Sequence, residues 1–162
     1  MAQIIAVVGK SKSGKTTLIE RLIPEIKKRG YSVGSVKHAH HGFEIDQKGK
    51  DSYRHRAAGA DVVVIASPDE IAMVKRIEHD SLDNVENFFD DVDLVLVEGY
   101  TRTRPPKIEI FDQSSHAVPL GLSSEELIAF VSDDIVEVDV PFYRRDQIVE
   151  IGDLIERRYL KP

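Results

Sequence analysis

The sequence predicts an α/β fold in three layers, a mostly parallel central sheet with helices on both faces. Three observations predict it. Short continuous apolar runs rich in β-branched residues occur at residues 4–8 (IIAVV) and 93–97 (DLVLV), the pattern of strands buried on both faces. Segments with helical spacing alternate with such runs, which favours right-handed crossovers between parallel strands. The first run ends in a Gly-containing stretch that opens directly into a helix, at the sheet edge where folds of this class bind ligands.

Residues 4–8 read as the first, central strand, ended by Gly9. Over residues 16–29, Leu18, Leu22 and Ile26 recur at helical spacing, Lys27, Lys28 and Arg29 complement the C-terminal dipole, and Gly30 caps the end. Pro24 lacks an amide hydrogen and is expected to kink this helix. Residues 31–36 (YSVGSV) read as the second strand, residues 37–50 as a loop, and residues 51–59 as a short helix. Residues 61–66 (DVVVIA) read as a third buried strand, followed by a hairpin partner at 71–75 after the Ser67-Pro68-Asp69 turn. Residues 81–90 are helical by pattern, 93–97 form a fully apolar strand, and 107–111 alternate like a strand nearer an edge. Residues 127–131 read as a strand and 136–140 as a candidate one. Residues 144–159 read as a closing amphipathic helix that uses Ile148, Ile151, Leu154 and Ile155. No repeat or linker appears, so a single domain over residues 1–162 is expected, a size that buries about two-thirds of the unfolded surface.

Composition narrows the chemistry. Hydrophobic residues at 41% and charged residues at 31% are ordinary for a globular chain. No apolar run approaches the roughly 18 residues that cross a bilayer, and the N-terminus lacks the pattern of a signal peptide, so no membrane association and a cytoplasmic location are expected. The absence of cysteine excludes disulfides, iron–sulfur clusters and thiol nucleophiles, and leaves oxygen or His nitrogen as metal donors, with Mg²⁺ the best match. A formal charge of −6 gives no general footprint for nucleic acid, so any anion site must be local.

Such a local site is legible at Gly9-Lys10-Ser11-Lys12-Ser13-Gly14-Lys15-Thr16, which matches G-x-x-x-x-G-K-[ST] in the required strand-to-helix context. The glycines let successive N–H groups turn inward, and the helix N-terminus that continues through Thr17 adds a favourable field for phosphate oxygens. Lys15 is expected to bridge the β- and γ-phosphates as the catalytic cation, and the Thr16 hydroxyl to bind Mg²⁺. A second metal ligand is expected at the end of a neighbouring buried strand. Glu98, at the tip of DLVLVEGY with Gly99 permitting a sharp departure, is the first choice. Asp46, in a D-x-x-G stretch, is the second candidate, with a catalytic role or a simple loop-capping role open to it.

Other polar clusters admit several readings. Lys37-His38-Ala39-His40-His41 suits a metal site, a phosphate or substrate contact, or a solvated loop. Arg102, Arg104 and Lys107 around Pro105-Pro106 read as a basic loop near the phosphate site, a lid, a partner contact or an arginine acting in trans.

Taken in order, GKSKSGKTT, KHAHHGFEIDQKGKDSYRHRAAGA and DLVLVEGY resemble the MobB family of molybdopterin-guanine dinucleotide biosynthesis adaptors along nearly the whole chain. The phosphate loop alone marks only a large class; the order of the remaining pieces is far more specific. The resemblance implies the P-loop NTPase fold shared with dethiobiotin synthetase and the nickel-insertion GTPases. It also implies GTP and Mg²⁺ as cofactors, weak hydrolysis at most, a homodimer, and assistance to a MobA-type guanylyltransferase that attaches GMP to molybdopterin, with molybdopterin itself a candidate ligand. No N-K-x-D occurs to read guanine. Asp133, after the strand at 127–131, is a candidate acceptor for guanine N1 and N2, a loop-capping role being equally open. Two other functions stay open on the residues alone: a small-molecule kinase or ATP-dependent ligase, and a nickel-type metallochaperone GTPase using His38, His40 and His41.

Overall fold

The structure is a computed structural model that describes residues 2–39, 42–79, 81–102 and 104–161. Six strands form one parallel sheet: β1 (Gln3–Val8), β2 (Val33–Lys37), β5 (Leu94–Glu98), β6 (Lys107–Ile110), β7 (Leu127–Val131) and β8 (Phe142–Tyr143), in the order β2-β5-β1-β6-β7-β8. The central position of β1, between β5 and β6, explains its uninterrupted apolar sequence, since both faces and both edges are covered. Helix α1 (Lys15–Lys28) runs on through Pro24, and α4 (Ile148–Ile155) packs beside it before a closing π-helical turn at Glu156–Leu160.

On one face of the sheet Ile5, Val7, Leu94, Leu96, Ile108 and Ile110 meet Leu18, Leu22 and Ile26 of α1 and Ile151, Leu154 and Ile155 of α4. Each fully buried side chain of this kind contributes roughly 1.5–3 kcal/mol. A smaller cluster of Phe111, Leu127 and Phe130 is joined by the loop residues Leu122, Val136, Val138 and Val140.

The chain divides into two compact units, residues 1–38 with 85–162, and residues 39–84. The second unit holds α2 (Asp51–Ala57) and an antiparallel hairpin, β3 (Val62–Ala66) and β4 (Ile71–Lys75). The short α3 (Asp83–Glu86) and a 3₁₀ turn (Asn87–Phe89) follow.

The fold departs from four sequence expectations. Residues 62–66 form a strand but not a buried one, because among the described residues β3 pairs with β4 alone and exposes Val62, Val64 and Ile65. Residues 107–110 are not near an edge: β6 lies between β1 and β7, and its polar Lys107 and Glu109 are as buried as Ile108 and Ile110. Residues 136–140 form no strand; their valines fold against Phe111 and Phe130 from a loop. The closing helix starts at Ile148 rather than 144, because Gln147 Oε1 accepts the Arg144 N–H and closes a turn first.

Candidate functional site

The phosphate loop begins where β1 ends. Gly9 has φ +151°, and a Cβ there would run into the Ile110 carbonyl oxygen and the Ser13 hydroxyl, so only glycine fits. Lys12 takes a left-handed φ of +63° and Gly14 one of +101°, which swings the chain into the first turn of α1. Ser13 is 1% exposed and its N–H reaches the Lys10 carbonyl at 3.3 Å. Thr17 is exposed on the first helical turn.

Lys15 folds back over the loop and donates to the Gly9 and Lys10 carbonyls, both at 2.9 Å. Burial lowers its pKa; Glu98 opposes that shift and Lys37 adds to it. A phosphate group beside it would favour the charged form.

The Thr16 hydroxyl donates to Glu98 Oε2 at 2.9 Å, and Lys37 Nζ stands 3.7 Å from Glu98 Oε1. Sequence positions 82 residues apart thus meet because β5 lies next to β1 and both end at the same sheet edge. One hydroxyl and one carboxylate oxygen form a hard-donor pair that fits Mg²⁺, whose remaining sites are ordinarily filled by phosphate oxygens and water. These two residues would hold the ion, which would neutralise phosphate charge there. Gly99 has φ +99° and its N–H bonds the Val7 carbonyl, so the chain leaves β5 sharply just after Glu98. His38 stacks on Tyr100 at a ring separation of 4.0 Å, and its backbone N–H bonds the Glu98 carbonyl.

Several functional contacts carry no local sequence signal. Lys10 Nζ donates to the Val118 carbonyl at 2.7 Å, and the His116 ring meets the Ser11 carbonyl, so the loop after β6 clasps the phosphate loop. Arg145 lies against Gly14, donates to the Phe111 carbonyl at 2.9 Å and pairs with Asp112 at 3.4 Å. Asp133 accepts the Arg145 backbone N–H at 3.2 Å and faces its guanidinium at 3.7 Å, which ties it to the arginine beside the phosphate loop.

Arg102 and Arg104 line a hollow with Lys107, Glu125 and Glu126, at the end of the sheet where β6 and β7 begin rather than where β1 meets the phosphate loop. Lys107 is a buried strand residue paired with Glu126 at 3.2 Å, not part of a basic loop. Asp46 lies in the second unit, where its Oδ1 accepts the Ser52 hydroxyl at 2.8 Å. His40 and His41 lie outside the described residues, and among the described residues no three His, Cys, Asp or Glu side chains gather as a metal cluster.

The parallel sheet, the central β1 and the glycine-hinged loop ahead of α1 place the chain in the P-loop NTPase fold class. Within that class it belongs to the MobB family: the family model described as "Molybdopterin guanine dinucleotide synthesis protein B" matches residues 4–133. The Haemophilus influenzae molybdopterin-guanine dinucleotide biosynthesis adapter protein is 37% identical over 94% of this chain and 87% of its own length. The Escherichia coli protein of the same name is 32% identical over 96% and 92%. The crystal structure of Bacillus subtilis MobB superposes with a TM-score of 0.79 at 29% identity, covering 99% of both chains. A crystal structure of a molybdopterin-guanine biosynthesis protein B superposes at 0.75 with 30% identity, covering 98% of this chain and 99% of the other.

Proposed function

We propose that this chain is a GTP-binding adapter of molybdopterin-guanine dinucleotide biosynthesis, holding the nucleotide as its Mg²⁺ complex. The single observation that carries the nucleotide part is the Thr16–Glu98 contact at the mouth of the phosphate loop, 2.9 Å between two hard oxygen groups. Residues 9–17 cradle the phosphates through backbone N–H groups, and Lys15 exchanges its loop carbonyls for β- and γ-phosphate oxygens. Asp133, held by Arg145, is the acceptor offered to guanine. Hydrolysis is slow, and the nucleotide serves a MobA-type guanylyltransferase that attaches GMP to molybdopterin. The adapter names of the relatives support that partner role. The site acts in the cytoplasm, in a homodimer.

Calorimetric titration with GTP and then ATP, each with and without Mg²⁺, tests the nucleotide part. The expected result is Mg²⁺-dependent binding that prefers GTP, lost in Lys15→Ala and weakened more by Glu98→Gln than by Asp46→Asn. Equal or tighter ATP binding would replace this reading with a small-molecule kinase or ligase. Unaltered binding in Lys15→Ala would remove the phosphate loop from it altogether.

A further inference from the structure

Glu109 occupies the middle of β6, in register with Val8 on one side and Phe130 on the other, and is 1% exposed. Its Oε1 accepts the Leu120 N–H at 2.6 Å, and among the described residues that is the one hydrogen bond the carboxylate receives. Removing a carboxylate from water costs several kcal/mol, and buried ones therefore usually gather several donors or a paired cation. Lys10 acts on Glu109 only through space, since its ammonium is bonded to the Val118 carbonyl. Burial accordingly raises the Glu109 pKa, with the Leu120 N–H and the Lys10 charge pulling it part of the way back.

The same side chain lines a cavity of about 630 Å³, ample for a small molecule. Leu122, Leu127, Phe130 and Val138 supply apolar walls; among the described residues the other ionisable lining groups are Glu137 and Asp139, and no Lys or Arg lines it. This chemistry is the reverse of the phosphate loop: it repels phosphates and carboxylates and suits a flat, uncharged ring with N–H donors. The two places touch at Val118, which lines the cavity and accepts the Lys10 ammonium.

We propose that this cavity is a second binding site for a planar heterocycle presenting a ring N–H beside an exocyclic NH₂ group, with Glu109 as the residue that recognises that edge. A carboxylate accepts both donors of such an edge in one plane, in charge-assisted bonds stronger than neutral ones. Guanine and pterin rings share the edge, and both occur in the dinucleotide named for the relatives. The choice between these two rings rests on the adapter reading; the cavity and its carboxylate do not.

The test titrates the full chain with pterin, guanosine and lumazine by equilibrium dialysis. Lumazine carries a carbonyl where pterin carries the amino group. Pterin or guanosine should bind saturably and lumazine should not, and Glu109→Gln should weaken binding about ten- to a hundredfold while leaving Mg²⁺-GTP affinity unchanged. Binding of pterin alone or guanosine alone assigns the ring. Leu122→Trp, which fills the cavity from its rim, should abolish ring binding should the Gln variant fail to fold. The proposal falls if neither ring binds, if lumazine binds as well as pterin, or if ring affinity survives both variants. A parent chain that binds GTP but neither ring overturns the cavity site alone; a parent chain that binds a ring but not GTP overturns the nucleotide reading alone.

Discussion

At Gly9 the chain leaves β1 with φ +151°, hard against the Ile110 carbonyl and the Ser13 hydroxyl. Gly9→Ala must therefore push β6 aside or open the phosphate loop, and either response costs about 1–3 kcal/mol. Urea denaturation should show that loss, and nucleotide titration should show binding abolished; a variant as stable as the parent would mean that the loop relaxes freely. Glu109 gives the opposite expectation. Its pKa is raised in the folded chain by burial, so the folded state holds the proton more tightly than the unfolded chain does. Its contribution to stability is thus present below the ordinary glutamate range and lost as pH rises through the folded pKa. Glu109→Gln should gain stability relative to the parent over that rise and hold the gain at neutral pH, in melting curves recorded from pH 4 to 8 on the order of one unit apart. A difference that stays flat with pH would show the carboxylate already satisfied. Residues such as Gly9, Lys15, Thr16 and Glu98 were legible because their spacing and strand-end placement follow from phosphate chemistry. Arg145 and His116 were not, since nothing local to them says that the fold returns them to the phosphate loop.

Among the elements, α1 and α4 are joined by more than their apolar stripe. Arg29, 13% exposed, donates to Glu25 at 2.7 Å, to Asp153 at 2.6 Å, to Glu156 at 3.0 Å and to the Val149 carbonyl at 2.9 Å. Gly152 in the middle of α4 makes room for it: a Cβ there would stand 2.9 Å from the Arg29 guanidinium. The glycine that weakens α4 by propensity thus has a packing reason. Arg29→Ala should cost about 1–2 kcal/mol, less than a fully buried network because Asp153 is 56% exposed. A double-mutant cycle with Asp153→Ala would show whether the loss lies in that pair or in the remaining bonds of Arg29, the one to the Val149 carbonyl among them. Strand reading failed in a related way. An apolar run marks a strand but not its cover, so residues 61–66 read as buried like β5, whereas the hairpin they form with 71–75, as expected, leaves Val62, Val64 and Ile65 exposed. In β6 the alternation of Lys107 and Glu109 read as a strand nearer an edge, when one is neutralised by Glu126 and the other faces a cavity.

For the molecule as a whole, that hairpin offers an exposed apolar surface. Cross-strand register puts Val62, Val64, Ala66, Ile71, Met73 and Lys75 on one face of β3–β4, and Val63 and Val74 on the other. Val63 is only 9% exposed, as expected where α2 lies against β3, whereas Val62 is 45%, Val64 54%, Ile71 76% and Met73 37% exposed. A two-stranded ribbon is marginal in water unless a face is covered, and its outer edges are templates for another strand. A second copy of the same ribbon offers both an apolar face and a matching edge, the self-complementary contact that a two-fold dimer requires. Sedimentation equilibrium should accordingly give twice the chain mass. Val64→Lys combined with Met73→Glu should give a monomer whose hairpin persists, because these two positions are directly opposite and the new charges pair across the strands. A parent chain that sediments as a monomer, or a double variant that remains dimeric with unchanged affinity, would remove the hairpin as the joining surface.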